Sequence, residues 1–244
     1  SKLMSDCCHT KNTSPDILIF GAGSAGFSAA ITAAESGAQV VIVGDGMIGG
    51  TCVNVGCVPS KTMIRAMENV HRINVMDKFS GLAGNAKIVD WKALVQQKQA
   101  LVDEMRKAKY EDLLTEYPTI SYISGFAEFT GNGIEVTVGE ALYAPKKVII
   151  ATGSSSHLPP ISGIQSIQVL DSTSALELEK LPKSLLIIGG GVIGCELGNM
   201  FARAGVNVTM VCRSHLLPDT EPEISAALTQ SLRSEVITGY GGVS

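Results

Sequence analysis

The feature that most constrains this chain is a pattern that occurs twice. Asp16-Ile17-Leu18-Ile19-Phe20 is a short apolar run suited to a buried parallel strand. Gly21-Ala22-Gly23-Ser24-Ala25-Gly26 follows at once, then a small-residue helix from about Phe27 to Ser36, closed by Gly37. Gln39-Val40-Val41-Ile42-Val43 is a second strand. The order returns later: strand Leu185–Ile188, loop Gly189-Gly190-Gly191-Val192-Ile193-Gly194, a helix from Cys195 to about Ala204, a stop at Gly205, and a strand over 206–211. One Gly-x-Gly-x-x-Gly is weak evidence. Two of them, each framed by strand and helix, predict two dinucleotide-binding units in one chain.

Each glycine has a physical task. Gly21 and Gly189 make the tight turn, Gly23 and Gly191 let backbone approach a pyrophosphate, and Gly26 and Gly194 let helix and strand pack closely. The helix N-terminus supplies unpaired N–H groups and partial positive charge. The ribose-binding acid of such a unit stands at the end of its second strand, and Asp45 is the only carboxylate there in the first unit. The second unit ends Met210-Val211-Cys212-Arg213, with no acid. Arg213 is either the partner of a 2′-phosphate, which selects NADP over NAD, or a solvated surface charge.

Between the repeats, Met63, Ile64, Met67 and Val70 have helical spacing within 59–73, and a more polar helix is expected over about 91–114. Residues 119–150 alternate and break at Gly125, Gly131, Gly133 and Gly139, which predicts a small antiparallel meander. Lys147–Ile150 is again a strand, leading into Ala151-Thr152-Gly153. The fold class is therefore α/β: two Rossmann-like units with a small antiparallel insert, the second unit incomplete. Thr238-Gly239-Tyr240-Gly241-Gly242 is turn-like where a further strand belongs.

Composition excludes several function classes. A net charge of −4 and 5% aromatic residues argue against nucleic-acid binding. No apolar run is long enough to span a bilayer, and the polar start carries no signal peptide, so a cytoplasmic setting is expected. Six cysteines are too few for a disulfide-stapled scaffold, and in a reducing compartment a close pair is more readily redox-active than structural. Cys195 and Cys212 read as core residues, and His71, His157 and His215 have no partner pattern. Cys7-Cys8-His9 is either a thiol trap for metal or a chance pair in a flexible tail.

The decisive stretch is Gly49-Gly50-Thr51-Cys52-Val53-Asn54-Val55-Gly56-Cys57-Val58-Pro59-Ser60-Lys61. Four residues separate the cysteines, so they can close a small ring. Cys57 falls just before the helix that Pro59 can begin, at the end of a helix that attracts negative charge, and Lys61 adds a cation. This motif, the glycine loops and Ala151-Thr152-Gly153 resemble the FAD-dependent pyridine nucleotide-disulfide oxidoreductases, from about Asp16 to Ser234.

Residues 1–15 are polar and read as a flexible tail; the resemblance implies an FAD-binding domain over 16–180 that carries the redox pair, and a partial NAD(P)-binding domain over 181–244. It implies FAD and NADPH as cofactors and catalysis by Cys52 and Cys57. In that scheme Cys57 is the sulfur beside the flavin and Cys52 the more exposed interchange sulfur. Gly46 and Thr51 face ribose and pyrophosphate, Lys61 lies near the flavin ring, Ala127 borders the adenine, and Thr152 and Gly153 complete the site. Gly46 and Ala127 are equally well read as plain turn and strand residues, and Thr51 as a cap. Glu196 either pairs with Lys61 at the flavin edge or is a surface charge. Residues 48–65 and 96–111 resemble the branch of the family that reduces Hg(II) to Hg(0). The two thiolates would then hold the ion, since soft cations take sulfur ligands. Sister activities on glutathione or dihydrolipoamide, and a non-catalytic flavin-binding remnant, are the alternatives. Family members are roughly twice as long and homodimeric, so this chain is expected to be a truncated form with open sheet edges, an uncovered apolar face and impaired turnover.

Overall fold

The computed structural model describes residues 14–235 and 237–240; Cys7 and Cys8 lie outside them. Along the chain run β1 (Ile17–Phe20), α1 (Ser24–Glu35), β2 (Val40–Gly44), α2 (Gly50–Asn54), α3 (Cys57–Asn74) and α4 (Trp91–Arg106). A π-turn over Lys107–Glu111 and α5 (Leu113–Glu116) lead to β3 (Ile120–Ser124), β4 (Ala127–Phe129), β5 (Val136–Val138), β6 (Ala141–Tyr143) and β7 (Lys147–Ile150). Then come α6 (Ser172–Leu176), β8 (Ser184–Ile188), α7 (Val192–Arg203), β9 (Asn207–Val211), α8 (Pro222–Ser234) and β10 (Thr238–Tyr240). Two compact units result. One runs up to Asn54 and resumes over Asp103–Ser155; the other comprises Val55–Val102 and the chain from Ser156 onward.

The first unit is built on a four-stranded parallel sheet in the order β3-β2-β1-β7. Its central strands are unbroken apolar runs because both faces are covered. Leu18, Phe20, Val41 and Val43 pack on Val136, Val138 and Tyr143 of an antiparallel β4-β5-β6 meander. Ile19, Val40, Ile42 and Ile120 pack instead with Phe27 and Ala30 of α1. One part of the expected meander belongs elsewhere: Ile120–Ser124 pairs in parallel with Val40–Gly44. An edge strand buried on one face alternates just as a meander strand does, so the pattern alone cannot separate them.

The second unit holds a three-stranded parallel sheet in the order β10-β9-β8, the same spatial sequence as β3-β2-β1. Thr238–Tyr240, turn-like by composition, is thus a strand; pairing with β9 overrides its weak local preference. Leu185 and Ile187 pack into a core with Met200, Phe201, Val208 and Met210, joined by Met63 and Met67 of α3. Leu186 and Ile188, on the opposite face, are 60% and 53% exposed. Trp91 closes one side, its Nε1 donating to the Leu178 carbonyl at 2.7 Å.

An ion cluster ties the end of α8 to α7 in this unit. Arg203 grips Glu235 with two hydrogen bonds, Nε to Oε2 at 2.6 Å and Nη2 to Oε1 at 2.7 Å. Asn199 donates to the same carboxylate, and His71 Nδ1 stands 3.9 Å away. The Arg203 guanidinium holds the Glu235 carboxyl below the ordinary carboxylate range, against the opposing pull of burial. A depressed folded value stabilises fully above the unfolded value of about 4.3 and is lost as pH falls through the folded one. Glu235→Gln is expected to lower stability at neutral pH by about 1–3 kcal/mol and to cost much less at pH 3. Urea unfolding at the two pH values checks this; an equal loss at both contradicts it.

Candidate functional site

In the first unit the loop after β1 is held by backbone contacts that leave no room for side chains. Gly21 has φ +111°, and a Cβ there would stand 2.0 Å from the Ala151 carbonyl oxygen. A Cβ on Gly26 would stand 2.0 Å from the Gly21 oxygen. The Ala151-Thr152 backbone is thereby pressed against the first glycine and the helix against the turn. Gly23 is the N-cap of α1, with no capping side chain and no acidic residue in the first turn. The first amides of α1 are therefore uncapped by side chains, which suits a pyrophosphate.

The segment that carries Cys52 is docked directly on this loop. The Gly49 N–H donates to the Ala22 oxygen at 2.8 Å, and Gly23 and Gly49 form a parallel bridge. Gly50 lies so close to Gly23 that a Cβ on it would meet the Gly23 Cα at 2.6 Å. Both Gly49 and Gly50 have positive φ, +97° and +68°, a backbone conformation that side chains disfavour. Thr51 and Cys52 are exposed in its first turn.

The other candidates of this unit follow strand ends. Asp45 and Gly46 are exposed just past β2, with the Tyr122 hydroxyl donating to the Gly46 oxygen at 3.4 Å. Thr152 and Gly153 are exposed just past β7. Ala127 is half-buried at the start of β4, two residues beyond Gly125, whose N–H donates to the Gly44 oxygen. The structure thus joins Gly21, Gly23, Gly26, Thr152 and the Thr51–Cys52 turn in one place. Asp45, Gly46 and Ala127 stand farther along the strand ends.

In the second unit Cys57 is exposed at the first position of α3, after the N-cap Gly56, and no acidic residue lies in the first turn. One turn on, Lys61 forms an ion pair with Glu196 of α7. Their side chains are 54% and 35% exposed, so the pair fixes geometry more than it stabilises, at under about 1 kcal/mol. The second glycine loop repeats the first. Gly189 has φ +121°, a Cβ on Gly194 would stand 2.6 Å from the Gly189 oxygen, and Gly191 is an uncapped N-cap for α7. Cys195 is buried, its thiol donating to the Gly190 oxygen at 3.6 Å, and burial pushes that thiol above its ordinary range.

Arg213 is exposed just past β9. Beside it a cleft of about 140 Å³ is lined by Met210, Cys212, Ser214, His215, Leu216 and Arg233 among others. His215 and Arg233 have no motif around them. The turn after β9 and the body of α8 bring them together, and nothing local in the sequence announces it. Among the described residues no helix is long and apolar enough to cross a membrane.

Comparison with known proteins gives this geometry a family. Residues 15–240 match the pyridine nucleotide-disulphide oxidoreductase family. Mercuric reductases from Lysinibacillus sphaericus and Staphylococcus aureus are 46% and 44% identical over 230 residues; these cover 94% of this chain and 42% of each reductase. Among solved structures, the HOCl-induced flavoprotein disulfide reductase RclA from Escherichia coli superposes with a TM-score of 0.79 at 32% identity. That match covers 94% of this chain and 49% of RclA. The chain therefore spans about half, or less, of the length of these relatives. With two glycine loops in place and the Cys52 turn docked on the first, the chain belongs to the pyridine nucleotide-disulphide oxidoreductases, a family whose cofactors are FAD and NAD(P)H.

Proposed function

We propose that this chain carries the flavin-binding and redox-active part of an NADPH-dependent reductase that converts Hg(II) to Hg(0). The observation that carries the reading is the packing of the Cys52 turn on the first glycine loop, Gly50 against Gly23. A group whose pyrophosphate occupied that loop would have the thiol-bearing turn as its direct neighbour. The similarity to two mercuric reductases supports Hg(II) as the acceptor.

The residues divide the work as follows. Gly21, Gly23, Gly26 and the N-terminus of α1 hold the FAD pyrophosphate, Thr51 flanks it, and Asp45 accepts hydrogen bonds from the ribose. Gly46, Ala127, Thr152 and Gly153 border the same cofactor. Gly189, Gly191 and Gly194 hold the pyridine nucleotide, and Arg213 pairs with a 2′-phosphate, which favours NADPH. When bound, FAD supplies a carrier that takes a hydride from the nicotinamide and passes on electrons in pairs. Lys61, steadied by Glu196, contributes positive charge toward the flavin. Cys57 receives electrons and Cys52, exposed on its turn, meets the acceptor.

Among the described residues no group of three or more His, Cys, Asp or Glu side chains converges on a metal position. Hg(II) needs no such cage, because two soft thiolates suffice for it. Two electrons reduce the bound ion to Hg(0), and the sulfurs release it as thiolates. A reducing cytoplasm would keep the dithiol available, and a homodimer is the assembly expected for the longer relatives. RclA, a flavoprotein disulfide reductase, favours a second reading in which the acceptor is a disulfide.

Anaerobic titration of the FAD-loaded chain with NADPH tests the proposal. A long-wavelength absorbance band is expected as electrons reach the dithiol, with NADPH effective at lower concentration than NADH. An oxidised spectrum unchanged by NADPH overturns the reading. Adding Hg(II), glutathione disulfide or oxidised lipoamide to the reduced protein then separates the acceptors, and reoxidation by a disulfide but not by Hg(II) selects the second reading.

A further inference from the structure

The turn that carries Cys52 is closed by Asn54. Its Nδ2 donates to the carbonyls of Ile48 and Gly50, both at 2.9 Å. Both donors face inward, and its Oδ1 accepts from Arg106 Nη1 at 3.1 Å. The same guanidinium nitrogen lies 3.0 Å from Met47 Sδ. One side chain from a distant part of the chain thus touches the residue at each end of the 47–54 segment.

Arg106 is itself held on its other edges. Its Nη2 donates to Asp103 Oδ1 at 2.9 Å and its Nε to Glu111 Oε1 at 3.3 Å. Its side chain is only 17% exposed. A planar fork with donors on three edges serves these directions together, whereas an ammonium cannot. The π-turn that starts at Lys107 brings a second brace into line: the Asp112 N–H closes on the Lys107 oxygen, and Tyr110 projects onto the glycines. A Cβ on Gly49 would meet the Tyr110 ring at 3.0 Å. The ring stands edge-on to Phe27 of α1, and its hydroxyl lies 3.1 Å from Ser24 Oγ, at the start of α1.

From these contacts we propose that Arg106 is a positioning residue for the Cys52 turn. It fixes the turn through Asn54, and Tyr110 clamps the same turn to the glycine loop. The proposal rests on the reading of Cys52 as the interchange thiol. Arg106 acts on no reacting atom. It removes the slack that two adjacent glycines at positive φ would otherwise allow at Cys52.

The test compares Arg106→Met and Arg106→Lys in the full chain. Amide hydrogen exchange across 47–54 is expected to speed up by on the order of tenfold or more in both variants, while β1 and β2 keep their rates. In a Cys7→Ser/Cys8→Ser background, the equilibrium between the Cys52–Cys57 disulfide and the glutathione couple is expected to move by about tenfold in the methionine variant, because the effective concentration of the two thiols falls. Unchanged exchange across 47–54 overturns the proposal, as does an increase shared equally by β1 and β2, which marks a general loss of stability. Should the methionine variant fail to fold, the lysine variant decides between these outcomes, since it keeps a cation between Asp103 and Glu111. A parent chain that forms no Cys52–Cys57 disulfide defeats the dithiol reading, and the exchange comparison still decides the role of Arg106.

Discussion

Serine at position 57 is expected to leave the fold intact and to weaken Hg(II) retention by about 10²–10⁴-fold, the factor gained when a second ligand is already held beside the first. Cys57 is exposed at the first position of α3, whereas the core contacts of that helix come from Met63 and Met67, so little packing is lost. The hydroxyl that replaces the sulfur is a hard, neutral donor and a poor ligand for a soft cation. Cys52→Ser is expected to behave alike, because on the proposed reading each variant leaves the ion one thiolate in place of two. Competition for Hg(II) against a monothiol measures the change, in a Cys7→Ser/Cys8→Ser background so that the N-terminal thiols do not contribute. Parent-like affinity in both single variants would show that the ion is held elsewhere.

The second large effect is expected at Gly26. Alanine there suffers no penalty from backbone dihedrals, but its Cβ would sit 2.0 Å from a carbonyl oxygen that cannot yield without opening the turn. A destabilisation of about 3 kcal/mol or more is expected, at the upper end of overpacking costs, together with loss of flavin binding. Gly23→Ala provides the contrast. Its nearest neighbour would be the Gly50 Cα at 3.6 Å, an ordinary contact, so the chain should fold, while the new methyl group occupies the approach to the helix amides. Thermal unfolding with and without FAD separates the two. Equal stability for both variants would mean that the Gly21–Gly26 contact is not what closes this loop.

What the sequence revealed follows from how local each signal is. The two strand–loop–helix–strand units were legible because each is set by its own residues: apolar runs for central strands, glycine where backbone meets backbone. The Cys52–Cys57 segment was legible as a motif, and the Lys61–Glu196 pair through family resemblance. The parallel pairing of β3 was hidden because one-sided burial alternates in either sheet type. β10 was hidden because Gly239 weakens a strand that only its neighbour sustains. Arg106 and Asn54 are 52 positions apart, and Arg203 and Glu235 are 32 apart. No periodicity connects such pairs; they meet only when the helices that carry them are placed. His215 and Arg233, which line one cleft, are of the same kind.

The bridge between Gly23 and Gly49 has a thermodynamic corollary. A ligand that steadies the phosphate loop also steadies the turn seated on it, and free energy exchanged between two such events is the same in either direction. Occupancy of the loop would bias the sulfur of Cys52, and the oxidation state of that sulfur would in turn bias how tightly the loop keeps its ligand. Cofactor retention and thiol chemistry are then one coupled equilibrium, joined where two glycine backbones touch.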